Sequence, residues 1–217
     1  MSEKQKVKVK ICGLRRLEDV EAVNRYRPDY VGFVFARSKR QVTPDEAKRL
    51  SGKIRPDIRR VGVFVDQSPE LLAQLLLDGT VDFLQLHGAE DAAYEQTLSQ
   101  LLREGGIRKP QEHLIKAYRI RGREDFENLG QTMCKYLLLD AYSVKCEGGN
   151  GESFDWSLIT RIQKPFFLAG GIGLNNVEAA VKDVRPYGVD VSSSLETDGY
   201  KDETKIKQFM ERIRSYE

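Results

Sequence analysis

The stretch Val7-Lys8-Val9-Lys10-Ile11-Cys12-Gly13 decides how the chain is read. Taken with period two, Val7, Val9 and Ile11 face one way and Lys8, Lys10 and Cys12 the other, which is the alternation of a β-strand. The strand stops at a glycine, and the last side chain before that stop is a thiol. Beyond it, Leu17, Val20, Val23 and Asn24 recur at helical spacing across residues 15–26. A strand that ends on a reactive group and turns tightly into a helix is how a β/α enzyme presents a catalytic residue.

The same unit recurs down the chain. Strand-length apolar runs stand at 29–35, 59–65, 81–86, 113–118, 136–140, 165–169 and 188–192. Thr43 is placed to cap a helix with Pro44 at its first position, and Ser68-Pro69-Glu70 repeats that chemistry. An amphipathic helix is predicted over 90–103, shorter ones over 123–129, 154–162 and 175–182, and a last one over 202–213. Residues 104–112 read as a loop. So does the stretch 141–153, whose Gly148, Gly149 and Gly151 would permit it to close over a substrate. The strands are short and almost wholly apolar, as in a parallel sheet buried on both faces. Eight strands alternating with eight helices in 217 residues fit an α/β fold, a single (β/α)8 TIM barrel forming one domain over 1–217.

The bulk numbers exclude several classes of protein. Hydrophobic residues make up 40% and charged residues 31%, the balance of a soluble globular chain. A net charge of +2 is too small to imply nucleic acid or an anionic membrane as partner. No apolar run is long enough to span a bilayer, and residues 1–6 lack the apolar core of a signal peptide. The three cysteines, Cys12, Cys134 and Cys146, are an odd number and make no disulfide framework. Free thiols indicate a reducing compartment, so a cytoplasmic location is expected.

In such a barrel, function gathers where the strands finish. Those ends carry Cys12, the loop from Phe35 to Arg40, Asp66, Gln85 with His87, Tyr118, Asp140, Gly170-Gly171 and Ser192-Ser193-Ser194. The glycine pair and the serines follow strands 7 and 8, the usual phosphate corner of this fold, and can offer N–H and hydroxyl groups to an anion. The plainer alternative is that the glycines only make a tight turn and the serines only cap a short helix; given the barrel, a phosphorylated small molecule is the favoured ligand. Cys12 reads either as a small buried hydrophobe or as a catalytic thiol that Lys10, two residues earlier on the same face, would bias toward thiolate. Asp140 and Asp66 both close apolar strands, where desolvation suits a carboxyl to hold a proton near neutrality. The residues alone leave both open. Asp140 is favoured because strands 1 and 6 are well separated around the ring. Arg40 is either part of a solvated basic turn or a guanidinium fork for a substrate carboxylate. His87 and His113 stand at opposite ends of their strands and share no zinc-type spacing with a cysteine, so no metal is expected. There is no nucleotide-binding glycine pattern either, and no cofactor is expected. Lys10 and Asp190 point inward on strands that would be neighbours in a closed ring. They are predicted to form a buried ion pair within about 6 Å.

Taken together, these strand ends resemble the phosphoribosylanthranilate isomerase family of the tryptophan pathway. The resemblance rests on Lys10-Ile11-Cys12-Gly13-Leu14, Gly32-Phe33-Val34-Phe35 with Ser38-Lys39-Arg40, Gly62-Val63-Phe64-Val65 and Gln85-Leu86-His87-Gly88. It continues through Leu139-Asp140, Gly148-Gly149-Asn150-Gly151 with Phe154-Asp155-Trp156, Leu168-Ala169-Gly170-Gly171-Ile172 and Asp190-Val191-Ser192-Ser193. It implies an Amadori rearrangement with Asp140 as general acid, Cys12 as general base and Arg40 on the anthranilate carboxylate. Gln85, His87, Gly170, Gly171, Ser192, Ser193 and Ser194 are the further substrate-binding candidates. No coenzyme or metal is implied, and the assembly is expected to be a monomer or homodimer. Three positions depart from the family pattern: Asn150 replaces a small hydroxyl residue, Ala141 a serine, and Ser194 a glycine in the phosphate corner. The rival readings are a sister barrel enzyme on a related phosphoribosyl substrate and a catalytically silent barrel that binds a phosphorylated metabolite.

Overall fold

A strand with apolar residues on both faces needs cover on both, and parallel strands joined by helices obtain it by closing into a ring. The computed structural model, which describes residues 6–126, 129–141, 156, 159 and 162–215, has this form. Strands β1 (Lys8–Cys12), β2 (Tyr30–Val34), β3 (Arg59–Phe64), β4 (Phe83–Leu86), β5 (Leu114–Ile120), β6 (Tyr136–Ala141), β7 (Phe166–Ala169) and β8 (Gly188–Val191) pair in sequence order. β8 returns to β1, and every pairing is parallel. Helices α1 (Leu17–Tyr26), α2 (Pro44–Ser51), α3 (Pro69–Leu77), α4 (Ala92–Glu104), α5 (Val177–Ala179) and α6 (Glu203–Arg214) follow strands on the outside. Their buried faces, such as Val20 and Val23 of α1 and Ile206, Phe209 and Met210 of α6, form an outer core with Val9 and Ile11.

Local chemistry sets the element ends. Thr43 caps α2 as expected: its hydroxyl accepts from the Glu46 N–H at 3.2 Å, while Glu46 Oε2 accepts from the Thr43 N–H at 2.7 Å. Ser68 makes no such side-chain bond, so α3 starts on Pro69 alone. Of the helix predicted over 123–129, residues 127 and 128 lie outside the described residues; the part before them is a 3-10 turn, Arg123–Phe126, where Asp125 accepts from the N–H groups of Arg121 and Gly122 at 2.7 and 3.1 Å. The helix predicted over 175–182 shrinks to α5, which runs into a π turn, Ala180–Val184. Its start is delayed because the Asn176 carboxamide accepts from the Gly173 N–H. β5 runs two residues past its predicted end. The chain between β8 and α6 contains an unforeseen hairpin, β9 (Glu196–Thr197) with β10 (Tyr200–Lys201). The glycine-rich loop and most of the helix predicted over 154–162 lie outside the described residues. Among the described residues, no helix is long and apolar enough to cross a membrane.

Inside the ring the side chains lie in layers. The N-terminal mouth is plugged by aromatic rings. Tyr30 meets Phe83 and Phe167 edge-on at 5.6 and 5.3 Å, and its hydroxyl lies 2.8 Å from that of Tyr187. Above the plug, the seam between β1 and β8 pairs Lys10 with Asp190 in register, and Lys10 Nζ lies 2.9 Å from Asp190 Oδ2. The expected buried pair is therefore present, and Lys10 has no exposed surface.

Lys10→Met is expected to lose about 3–5 kcal/mol in urea unfolding, because it leaves Asp190 buried without its counter-charge. Lys10→Met combined with Asp190→Leu should recover most of that loss. A double variant no more stable than the single one would deny the pair its role.

Candidate active site

At the opposite mouth, where the strands finish, lies a cavity of about 490 Å3. Cys12, Arg40, Gln85, His87, Asp140, Gly170, Gly171, Ser192 and Ser193 all line it. Ser194 does not, because its hydroxyl is turned to the carbonyl of Ile172 at 2.6 Å. Asp66 is not part of the lining either. Its carboxylate accepts from the Ala89 N–H at 2.7 Å and ties the end of β3 to the loop after β4. Of the two aspartates, only Asp140 lines the cavity with Cys12.

The thiol occupies space that a glycine vacates. A Cβ on Gly32 would stand 2.7 Å from Cys12 Sγ, so only glycine admits the side chain at this register of β1 and β2. Sequence reasoning expected Lys10 to favour thiolate. Here the outcome is reversed: burial pushes the Cys12 thiol up from its ordinary value, Lys10 pulls it down, Asp190 adds to the rise, and Lys201 pulls down. Desolvation wins because the Lys10 ammonium is already bound to Asp190. That same contact, together with Cys12, holds Lys10 above its ordinary value despite the burial that would lower it.

The acid candidate is held from one side. Asp140 Oδ2 lies 3.4 Å from His87 Nε2, and His87 Nδ1 lies 2.9 Å from the buried Gln85 amide nitrogen. With the amide in this orientation Gln85 donates to Nδ1, so the ring proton sits on Nε2, facing Asp140. The Asp140 side chain is one-third exposed, so the desolvation expected at this strand end is partial.

Arg40 is placed differently from the expectation. Its Nε and one terminal nitrogen grip both oxygens of Glu196 at 2.6 and 2.8 Å, a bidentate pair with a residue that sequence reasoning missed. Glu196 also accepts from the buried Lys201 ammonium at 2.8 Å, and Lys201 reaches the Ser192 carbonyl at 3.0 Å. Burial alone would raise Glu196, but hydrogen bonds from Arg40 and Lys201 hold its carboxyl down to about 2. Burial lowers Lys201, and the hydrogen bond to Glu196 raises Arg40. Two of the guanidinium nitrogens are thus engaged by the protein's own carboxylate, and Arg40 still lines the cavity with one terminal nitrogen outside that pair.

Gly170, Gly171, Ser192 and Ser193 meet at the ends of β7 and β8. Gly170 and Gly171 both take positive φ, +81° and +70°, a backbone that other residues rarely adopt. The Ser192 hydroxyl is spent on the Cys12 carbonyl at 2.9 Å, a tie between β8 and the thiol's own backbone. Ser193 stays exposed at the cavity and starts a 3-10 turn, Ser193–Leu195, whose first N–H groups have no acceptor within it. Among the described residues, no cluster of three or more His, Cys, Asp or Glu side chains could hold a metal.

Known proteins resemble this chain over nearly its whole length. The family model described as N-(5'phosphoribosyl)anthranilate (PRA) isomerase matches residues 9–212. A relative named N-(5'-phosphoribosyl)anthranilate isomerase, from Clostridium acetobutylicum, is 41% identical over 214 residues, 97% of this chain and 99% of its own. The crystal structure of phosphoribosyl anthranilate isomerase from Thermotoga maritima superposes with a TM-score of 0.80 at 35% identity, covering 96% of this chain and 99% of that one. Another solved phosphoribosyl anthranilate isomerase is similar at 34% identity and a TM-score of 0.75, again over 96% and 99% of the two chains. It holds reduced 1-(o-carboxyphenylamino)-1-deoxyribulose 5-phosphate.

Two measurements check the electrostatics. Because burial raises the thiol, iodoacetamide should modify Cys12 slowly at neutral pH and faster as pH climbs past 9.0. Equal rates across that range would mean a resting thiolate. The folded Glu196 lies below its ordinary 4.5, so its stabilisation is complete above that pH and is lost as pH falls toward about 2. The Tm gap between the native chain and Glu196→Gln should therefore be wide at pH 6 and narrow through that window. A gap that stays constant down to pH 2 would remove Glu196 from this role.

Proposed function

The chain belongs to the phosphoribosylanthranilate isomerase family, and from that premise we propose how its residues divide the reaction. It is an isomerase of tryptophan biosynthesis. It converts N-(5-phosphoribosyl)anthranilate to 1-(o-carboxyphenylamino)-1-deoxyribulose 5-phosphate by an Amadori rearrangement. One observation carries the assignment of roles: a thiol on β1 and a carboxyl on β6 line the same cavity, with the β7–β8 corner between their strands.

Asp140 is the general acid. It protonates the furanose ring oxygen, the C1′–O bond breaks, and the nitrogen lone pair forms an iminium at C1′. His87 and Gln85 fix the direction of the carboxyl. The iminium acidifies the C2′ hydrogen, and Cys12, after releasing its own proton to solvent at the mouth, removes it as thiolate to give an enolamine, which tautomerises to the ketone. The substrate phosphate sits at Gly170, Gly171 and Ser193, where backbone N–H groups and a hydroxyl converge. Ser192 and Ser194 serve it indirectly, by fixing the loop backbone through Cys12 and Ile172. Arg40 meets the substrate carboxylate only through the nitrogen that Glu196 leaves it. Cys12 and Cys134 are free thiols, which suits a reducing cytoplasm.

The deciding experiment is turnover of freshly prepared phosphoribosylanthranilate, followed by its anthranilate fluorescence. A chain that binds this substrate yet never converts it would be a silent barrel. Cys12→Ser and Asp140→Asn are each expected to lower kcat by about 10²-fold or more, the scale of general acid–base catalysis. Near-normal turnover in either variant would take that residue out of its role. Arg40→Ala should act chiefly on KM, and an unchanged KM would leave Arg40 as a partner of Glu196 only.

A further inference from the structure

The loops after β1 and β2 and the β9–β10 hairpin meet beside Arg40, and Arg15 joins them. On the turn after β1, Arg15 sends one terminal nitrogen to the Lys39 carbonyl at 2.6 Å and the other to the Gly199 carbonyl at 2.7 Å. Lys39 immediately precedes Arg40. Gly199 belongs to the turn of the hairpin whose first strand carries Glu196. That turn is the pair Asp198-Gly199, both at positive φ (52° and 78°), the tight hairpin form that fixes Gly199 relative to Glu196. Arg15 therefore ties the backbone beside Arg40 to the element that presents Arg40's carboxylate partner.

Arg15 is itself anchored. Its N–H and that of Arg16 donate to the buried Asp19 carboxylate at 2.9 and 3.1 Å. The Arg15 and Arg16 guanidinium groups lie 4.6 and 4.1 Å from the centre of the Tyr200 ring. The loop after β2 gains from such an anchor, because Arg37, Ser38 and Lys39 are exposed and their side chains bury nothing that would hold the tip. Arg40 itself has little freedom. Its Cδ would lie 2.5 Å from a Cβ on Gly13, so its stem runs against the backbone next to Cys12, and two of its nitrogens are on Glu196. Where its remaining terminal nitrogen stands then depends on the spacing between loop and hairpin, which Arg15 spans. On the functional reading above, in which Arg40 meets the substrate carboxylate, we propose that Arg15 is a positioning residue for Arg40. It holds the loop after β2 against the hairpin and so sets the affinity for that carboxylate. Among the described residues it is not part of the cavity lining, so it acts through Arg40.

The test is a double-mutant cycle read in KM. Arg15→Met keeps much of the stem and removes both donors. It should raise KM for phosphoribosylanthranilate by about 5-fold, the worth of one ordinary hydrogen bond, with kcat close to native. Arg15→Lys should recover part of the loss, and it carries the same comparison if Arg15→Met fails to fold. In an Arg40→Ala background, Arg15→Met should leave KM where Arg40→Ala alone puts it, because no guanidinium is left to position. A fall in Tm with no rise in KM, or an equal rise in KM in both backgrounds, would overturn the inference while the isomerase reading stands. Arg40→Ala with an unchanged KM would overturn the carboxylate role of Arg40 and this inference with it. A native chain that does not convert phosphoribosylanthranilate would overturn the isomerase reading itself.

Discussion

The structure depends on one contact, the Lys10–Asp190 ion pair across the seam where the last strand meets the first. Burying two charges costs on the order of several kcal/mol per ion, and a short, well-made contact is needed to offset it. The 2.9 Å approach supplies one, although Asp190 Oδ1 is left without a partner. The pair also fixes register. A slip of one residue between β1 and β8 would turn Lys10 outward, away from Asp190, and carry Cys12 out of the cavity with it. Closing the barrel and placing the thiol are thus one constraint.

A second polar assembly rests on the first. Glu196 gathers Arg40 and Lys201, and Lys201 reaches the Ser192 carbonyl. Ser192 in turn donates to the backbone of Cys12. The β9–β10 hairpin, a two-residue pair of strands that would be marginal alone, is therefore tied into the catalytic mouth at both its ends. The consequence falls on Arg40: a guanidinium that holds a loop in place has fewer donors to offer a ligand.

Much of this was legible in the order of residues, because both periodicities survive in it. Alternation in 7–13 and 188–192 placed Lys10 and Asp190 inside, and apolar strand runs gave all eight strands. What was not legible depended on contacts distant in sequence or on degree of burial. Glu196 lies 156 residues from Arg40, in a hairpin too short to carry a pattern. The thiol was misjudged for a quantitative reason. The sequence reveals the ammonium beside Cys12 and its partner Asp190, but not how dry the site is.

That misjudgement bears on the order of steps. A base that rests protonated is poorly prepared to act first, and the cavity does not ionise it: burial outweighs Lys10, and Asp190 cancels much of the ammonium's field. On the proposed mechanism the missing charge comes from the substrate. Once Asp140 has opened the ring, an iminium cation lies in the same low-dielectric cavity as the thiol. There it acts on Cys12 as Lys10 would if it were unpaired. It also lowers the basicity that proton abstraction requires. The acid step then creates the condition for the base step, and the thiol stays largely protonated until a ring-opened substrate is present. A free thiolate would be more nucleophilic toward oxidants and electrophiles. On the proposed mechanism, burial and the pairing of Lys10 with Asp190 together keep the sulfur quiet between turnovers.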